Sequence, residues 1–157
     1  MSKPTIRRAV PADRAAIVEL CKSSMRATYG GFLDEEKMRP WIEGGETDNY
    51  VASMLGQMLV AVEDDAVIGV ASIAKDTLDL IWVAIDRRGR GVGTALMSAA
   101  EKRIGEDGHP IARLEVFEPN TEATRFYEAH GWKKGKTSFD QMAGVNKLVM
   151  EKHLSRG

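Results

Sequence analysis

The chain has 157 residues, 43% of them hydrophobic and 29% charged, and a formal net charge of -1. That length suits one domain spanning residues 1–157, and that apolar fraction gives it a core. The near-zero charge argues against a general nucleic-acid coat, which shows as a strong positive excess. The lone cysteine, Cys21, can form no disulfide within the chain and fits a reducing, cytoplasmic setting. MSKPTIRRAV has no apolar signal segment. No run approaches the roughly 18 apolar residues of a membrane span, so no membrane partner is expected.

In chain order, TIRRAV (Thr5 to Val10) alternates and reads as a strand. Pro11 opens a helix with Ile17, Leu20, Cys21 and Met25 on one face, and Tyr29-Gly30-Gly31 breaks it. Asp34 is placed to cap a second helix through Trp41. Glu43-Gly44-Gly45 is a loop, and Thr47 or Asp48 caps a short helix through Leu55. MLVAVE and AVIGVASIA, separated by Asp64-Asp65, read as a β-hairpin, and TLDLIWVAI (Thr77 to Ile85) follows as a third strand. A glycine-rich turn then leads into a helix from Val92 to Ile104, ended by Gly105, Gly108 and Pro110. Ile111 to Phe117 is a strand, Asn120 or Thr121 caps a helix to His130, and Gly131 stops it. Trp132 onward and Asn146 to His153 supply the last strands. The expected fold is α/β (α+β): one mixed, mostly antiparallel sheet flanked by helices.

The chemistry concentrates in RRGRGVG, Arg87 to Gly93, between a strand and a helix. A helix start carries unpaired N–H groups and a positive dipole end, and glycines let a ligand approach the backbone. Arg87, Arg88 and Arg90 add charge, so the turn reads as a pyrophosphate cradle. A Walker A loop is ruled out, because Gly93 is followed by Thr94 and Ala95 with no lysine. A dinucleotide fingerprint fits poorly: after Gly89 and Gly91 the third glycine position is Thr94, and after Gly91 and Gly93 it is Leu96. A plain turn with solvated arginines and an RNA contact are the other readings, the latter without an aromatic platform.

Arg88-x-x-Gly91-x-Gly93 within IWVAIDRRGRGVGTALM resembles the R/Q-x-x-G-x-G/A signature of the GCN5-related N-acetyltransferase family. ARLEVFEPNTEATRFYEAHGW is similar to that family's second segment, with Asn120, Ala123, Phe126, Tyr127, Gly131 and Trp132 at matching positions. Ile85 stands where proline is frequent, and Trp132 where phenylalanine is usual. The resemblance implies acetyl transfer from acetyl-CoA, as co-substrate, to an amine acceptor, small molecule or protein. Its phosphates would rest on the backbone N–H groups of Arg88, Gly89, Arg90, Gly91, Val92, Gly93 and Thr94. Its pantetheine arm would pair with the backbone of Trp82, Val83 and Ala84, where that strand splays from the Ile111 strand. The resemblance assigns Tyr127 as general acid on the leaving sulfur. The oxyanion donor is expected from the Val83 N–H, and the base is Glu115, with Asp79 or a water chain as rivals. Asn120 either contacts pantetheine or caps its helix, and Arg125 is a solvated charge or a phosphate contact.

Cys21 reads as core, and His109, His130 and His153 lie too far apart for a metal site. Acceptor specificity would lie in RATYGGFLDEEKMRPWIEGGETDNY and KKGKTSFDQMAGVNK; the acids of the first favour a cationic amine unless they only solvate helices. Tyr29, Phe32 and Trp41 either line that pocket or pack on the core. The alternative function is a non-catalytic CoA-binding regulatory module of the same fold. A homodimer is also expected from the resemblance.

Overall fold

The computed structural model describes residues 3–154. Seven strands form one sheet in the order β1-β2-β3-β4-β5-β7-β6. They are β1 (Thr5–Arg8), β2 (Met58–Glu63), β3 (Ala66–Ala74), β4 (Thr77–Val83), β5 (Ile111–Phe117), β6 (Lys133–Asp140) and β7 (Val145–His153). Five helices flank them: α1 (Arg14–Tyr29), α2 (Glu35–Ile42), α3 (Glu46–Met54), α4 (Val92–Glu106) and α5 (Thr121–Ala129). Every neighbouring pair is antiparallel except β4 and β5, so the expected mixed, mostly antiparallel sheet is what forms.

MLVAVE lacks alternation because β2 is covered on both faces, as a buried strand must be. Met58 and Val60 pack with Ile17, Cys21 and Val51 of α1 and α3. Leu59 and Ala61 pack with Leu96, Ala100 and Ile104 of α4. The hairpin between β2 and β3 turns on Asp64 and Asp65, both with positive φ (50° and 65°), the geometry of a two-residue primed turn. Gly69 of β3 lies under α4. A Cβ there would stand 2.7 Å from the Leu96 Cδ1, so its bare backbone lets the helix sit close.

β4 and β5 share one paired position, Thr77 with Arg113, at the start of both strands. There Arg113 N–H donates to the Asp76 carbonyl (2.9 Å), and the Arg113 guanidinium bonds the Asp76 carboxylate. Beyond that tie no further pairing joins them, and the sheet opens into a wedge. β4 also carries a bulge: Ser72 faces Leu80 and Ile73 faces Leu78, which leaves Asp79 as the extra residue.

Several boundaries differ from expectation. Asp34 stands at the N-cap position of α2, but its side chain makes no capping hydrogen bond. Gly45, with φ of 82°, caps α3 in place of Thr47 or Asp48. Thr47 instead donates to the Trp41 carbonyl (2.6 Å), and Asp48 pairs with Lys22 (3.1 Å). Gly105 does not end α4, because a glycine in a well-packed helix costs only about 1 kcal/mol. The helix stops before Gly108, whose φ is 93°. The first strand ends at Arg8 rather than Val10, and β4 at Val83 rather than Ile85.

Candidate active site

The wedge holds a cleft of about 500 Å³. Its β4 wall is Ile81, Trp82 and Val83; its end is Arg87, Arg88, Gly89, Gly91, Gly93 and Thr94; its α5 wall includes Asn120, Phe126 and Tyr127. The backbone explains the end wall. Gly89 and Gly91 have φ of 79° and 83°, a region that favours glycine. The first helical bond of α4 runs from the Ala95 N–H to the Gly91 carbonyl (3.0 Å). The N–H groups of Val92, Gly93 and Thr94 are therefore left for a ligand, at the positive end of the helix dipole. A Cβ on Gly93 would lie 3.4 Å from the Phe126 ring, so the floor is tight. The arginines contribute less free charge than their number suggests. Arg87 sits between Glu63 (3.2 Å) and Asp86 (3.0 Å), and Arg88 reaches the Val83 carbonyl and the Thr28 hydroxyl, each at 3.4 Å.

Just past β4 the Ala84 N–H donates to the Ile68 carbonyl of β3 (2.8 Å). Successive N–H groups of a strand point to opposite edges, so that of Val83 faces the open β5 side. Of the three positions expected to pair with pantetheine, the Ala84 N–H is thus spent on β3 and that of Val83 is open to the cleft. At Val92 the expectation concerns the backbone alone. Its side chain is buried in the core beside Leu96, so only its N–H is available to a ligand. Arg90 is exposed and is not part of the cleft lining.

Asn120 does cap α5: its Oδ1 accepts the Ala123 N–H (3.3 Å) while the residue lines the cleft. Tyr127 is buried, and its ring meets Phe126 and Trp132. Burial pushes its phenol pKa up, with Tyr29 adding to the effect, so it stays protonated. Glu115 lines neither this cleft nor the cavity behind it, and its carboxylate pairs with Lys147 at 3.1 Å.

A second cavity of about 390 Å³ lies on the α1–α3 side of β4. Tyr29, Trp41, Trp82 and Phe117 give it aromatic walls, and Asp79, Glu46 and Tyr50 give it polar ones. Tyr29 is the hub of the cluster, edge-on to Trp82 at 5.4 Å and to Phe117 at 5.1 Å. The bulge aims Asp79 here, where it accepts a short hydrogen bond from the Tyr50 hydroxyl. Ser72 in turn bonds that hydroxyl (2.9 Å), and burial with the Asp79 bond pushes the Tyr50 phenol up. Trp82 belongs to both cavities, so they meet across one strand. The described residues hold no group of three or more His, Cys, Asp or Glu fit for a metal. No helix among them is long and apolar enough to cross a membrane.

The model of the Acetyltransferase (GNAT) family matches residues 18–132. The chain belongs to the GNAT acetyltransferase family. As a GNAT enzyme it is an acetyl-CoA-dependent N-acetyltransferase, with acetyl-CoA as its co-substrate. It is 34% identical over 129 residues to the peptidyl-lysine N-acetyltransferase YiaC of Escherichia coli (strain K12), covering 81% of this chain and 82% of that protein. Among solved structures, a GCN5-related N-acetyltransferase from Rhodopseudomonas palustris superimposes with a TM-score of 0.84 at 26% identity, covering 98% of both chains. The paia N-acetyltransferase from Thermoplasma acidophilum, solved with coenzyme A, shares the fold with a TM-score of 0.82 at 24% identity, covering 98% and 99%.

The GNAT cleft uses residues that sequence reading did not single out for it. Thr28 reaches Arg88 from α1 across 60 positions of chain, and Ile81 and Glu122 complete the walls.

Proposed function

We propose that this GNAT enzyme acetylates the side-chain amine of a lysine in a peptide or protein. The observation that carries this reading is the pair of cavities meeting at Trp82. An acyl group held along β4 meets whatever enters between α1, α2 and α3. The Escherichia coli relative is a peptidyl-lysine N-acetyltransferase, and the second cavity suits the same group. Its aromatic walls take the methylene stem, and Asp79 and Glu46 attract the ammonium.

Acetyl-CoA supplies an acyl carbon activated as a thioester. The N–H groups of Val92, Gly93 and Thr94 hold its phosphates, and Asn120 Nδ2, its Oδ1 being spent on the cap, contacts the pantetheine arm. The Val83 N–H donates to the acyl oxygen as charge develops there. An amine of ordinary pKa near ~10.4 arrives as ammonium and must lose a proton. Asp79 takes it, oriented by Tyr50, whose raised pKa keeps it a donor to the carboxylate. As the C–N bond forms and the C–S bond breaks, Tyr127 protonates the departing sulfur, and the surplus proton of the attacking nitrogen returns to the Tyr127 phenolate.

Asp79 is preferred over Glu115 because Glu115 is tied to Lys147 and lines neither cavity. Steady-state kinetics on a lysine peptide decides between them. Asp79→Asn lowers kcat/KM by about 10²-fold or more, the usual scale of general base catalysis, and lowers kcat with it. Glu115→Gln leaves both unchanged. The opposite pattern assigns the base to Glu115.

A further inference from the structure

The first turn of α4 has one side chain able to reach a ligand with a proton of its own, the Thr94 hydroxyl, and it is already engaged. Its Oγ1 lies 3.0 Å from His130 Nε2 at the C-terminal end of α5. The other ring nitrogen, Nδ1, lies 2.8 Å from the Phe126 carbonyl. A carbonyl only accepts, so Nδ1 carries a proton. In a neutral imidazole Nε2 must then accept, and the single Thr94 proton points at His130 rather than into the cleft. The oxygen lone pairs are what remains for the cleft, an unfavourable partner for a phosphate. In the imidazolium both nitrogens donate. Thr94 Oγ1 then accepts from Nε2, and its own proton is released toward the cleft that Thr94 lines.

We propose that His130 is a positioning residue for the cofactor's diphosphate: its protonation turns the Thr94 hydroxyl into a phosphate donor, so diphosphate binding and proton binding reinforce each other. The inference rests on the reading that the α4 N-terminus holds the phosphates. By linkage, a ligand that prefers the imidazolium raises proton affinity as much as the proton raises ligand affinity.

The charged groups packed around this pair have partners of their own. The first two turns of α4, Val92 to Ser98, carry no ionisable side chain. From β7, Lys152 Nζ donates to the His130 carbonyl (2.7 Å) and is paired with Glu101 of α4 (2.7 Å). On α5 and β6, Glu128 and Lys134 pair with each other at 3.9 Å. The Phe126 ring lies against the imidazole, tilted by 41° at 4.4 Å between centres.

The test is calorimetric binding of dephospho-CoA between pH 5.5 and 8.0. That probe lacks the 3′-phosphate monoester, whose own pKa near ~6 would otherwise titrate across this range. The expected result is affinity about fivefold higher at pH 5.5, the gain from a phosphate donor backed by a charged partner. It is accompanied by net proton uptake, read from buffers of different ionisation heats. Thr94→Val and His130→Gln bind with no pH dependence and no proton uptake, whereas Thr94→Ser retains both. pH-independent binding by the native chain, or the same dependence in Thr94→Val, overturns the proposal. Absence of dephospho-CoA binding at every pH overturns the phosphate cradle itself.

Discussion

At the scale of single residues, the proposed chemistry turns on Tyr127 and on the backbone N–H groups at the start of α4. Tyr127→Phe removes the phenolic proton and keeps the ring that packs against Phe126 and Trp132. It is therefore expected to lower kcat by about 10²- to 10⁴-fold, the range of a lost general acid, while the dissociation constant of CoA is unchanged. Pre-steady-state kinetics with equilibrium binding separates the two quantities. The glycine stretch was legible in the sequence as a local pattern, Gly89 and Gly91 before α4 and Gly93 in its first turn, whereas Tyr127 was singled out only by the resemblance of its segment to the family. The pairing of Glu115 with Lys147 was not legible, because it belongs to tertiary structure. Asp79 stood out only as a rival base. Its position as the extra residue of a bulge depends on how β4 registers against Ser72 and Ile73, which no local pattern encodes.

At the scale of elements, the cleft exists because β4 and β5 are tied once and then part, while α4 is pressed onto β3. Gly69 makes that approach possible and lies opposite Val83 across the β3–β4 ladder. Gly69→Ala would push a methyl toward Leu96 and the Trp82 carbonyl, 3.3 Å from the added Cβ. The expected cost is about 1–3 kcal/mol of stability, the usual range for overpacking, read as a lower urea midpoint with unchanged slope. An unchanged midpoint would mean that α4 relaxes away from the sheet freely. The sequence predicted every helix and strand in order, because caps, glycines and apolar periods are local. It misjudged the cap of α3, since Gly45 succeeds through a positive φ rather than a side-chain acceptor.

At the scale of the whole molecule, four neutral acids stand in or beside the cavities: Cys21, Tyr29, Tyr50 and Tyr127. Burial lifts Cys21 from 9.0 and Tyr29 from 10.0, both to about 12, and raises Tyr50 and Tyr127 as well. Groups whose folded pKa lies above the unfolded value favour the fold while they remain protonated. That stability is whole below about pH 9 and is lost as pH rises toward 12, because the unfolded chain ionises first. Urea unfolding at pH 10.5 is therefore expected to show a lower midpoint than at pH 8, and Tyr29→Phe to reduce the difference. The central claim joins both sides of β4: acetyl-CoA in the wedge and a lysine amine behind Trp82. Its most direct test is thiol release from acetyl-CoA with a panel of lysine peptides, peptides bearing only a free N-terminus, polyamines and aminoglycosides. Release with lysine peptides, lost when the lysine is replaced by norleucine, is the predicted result. Release confined to another acceptor class, with none from any lysine peptide, would contradict it.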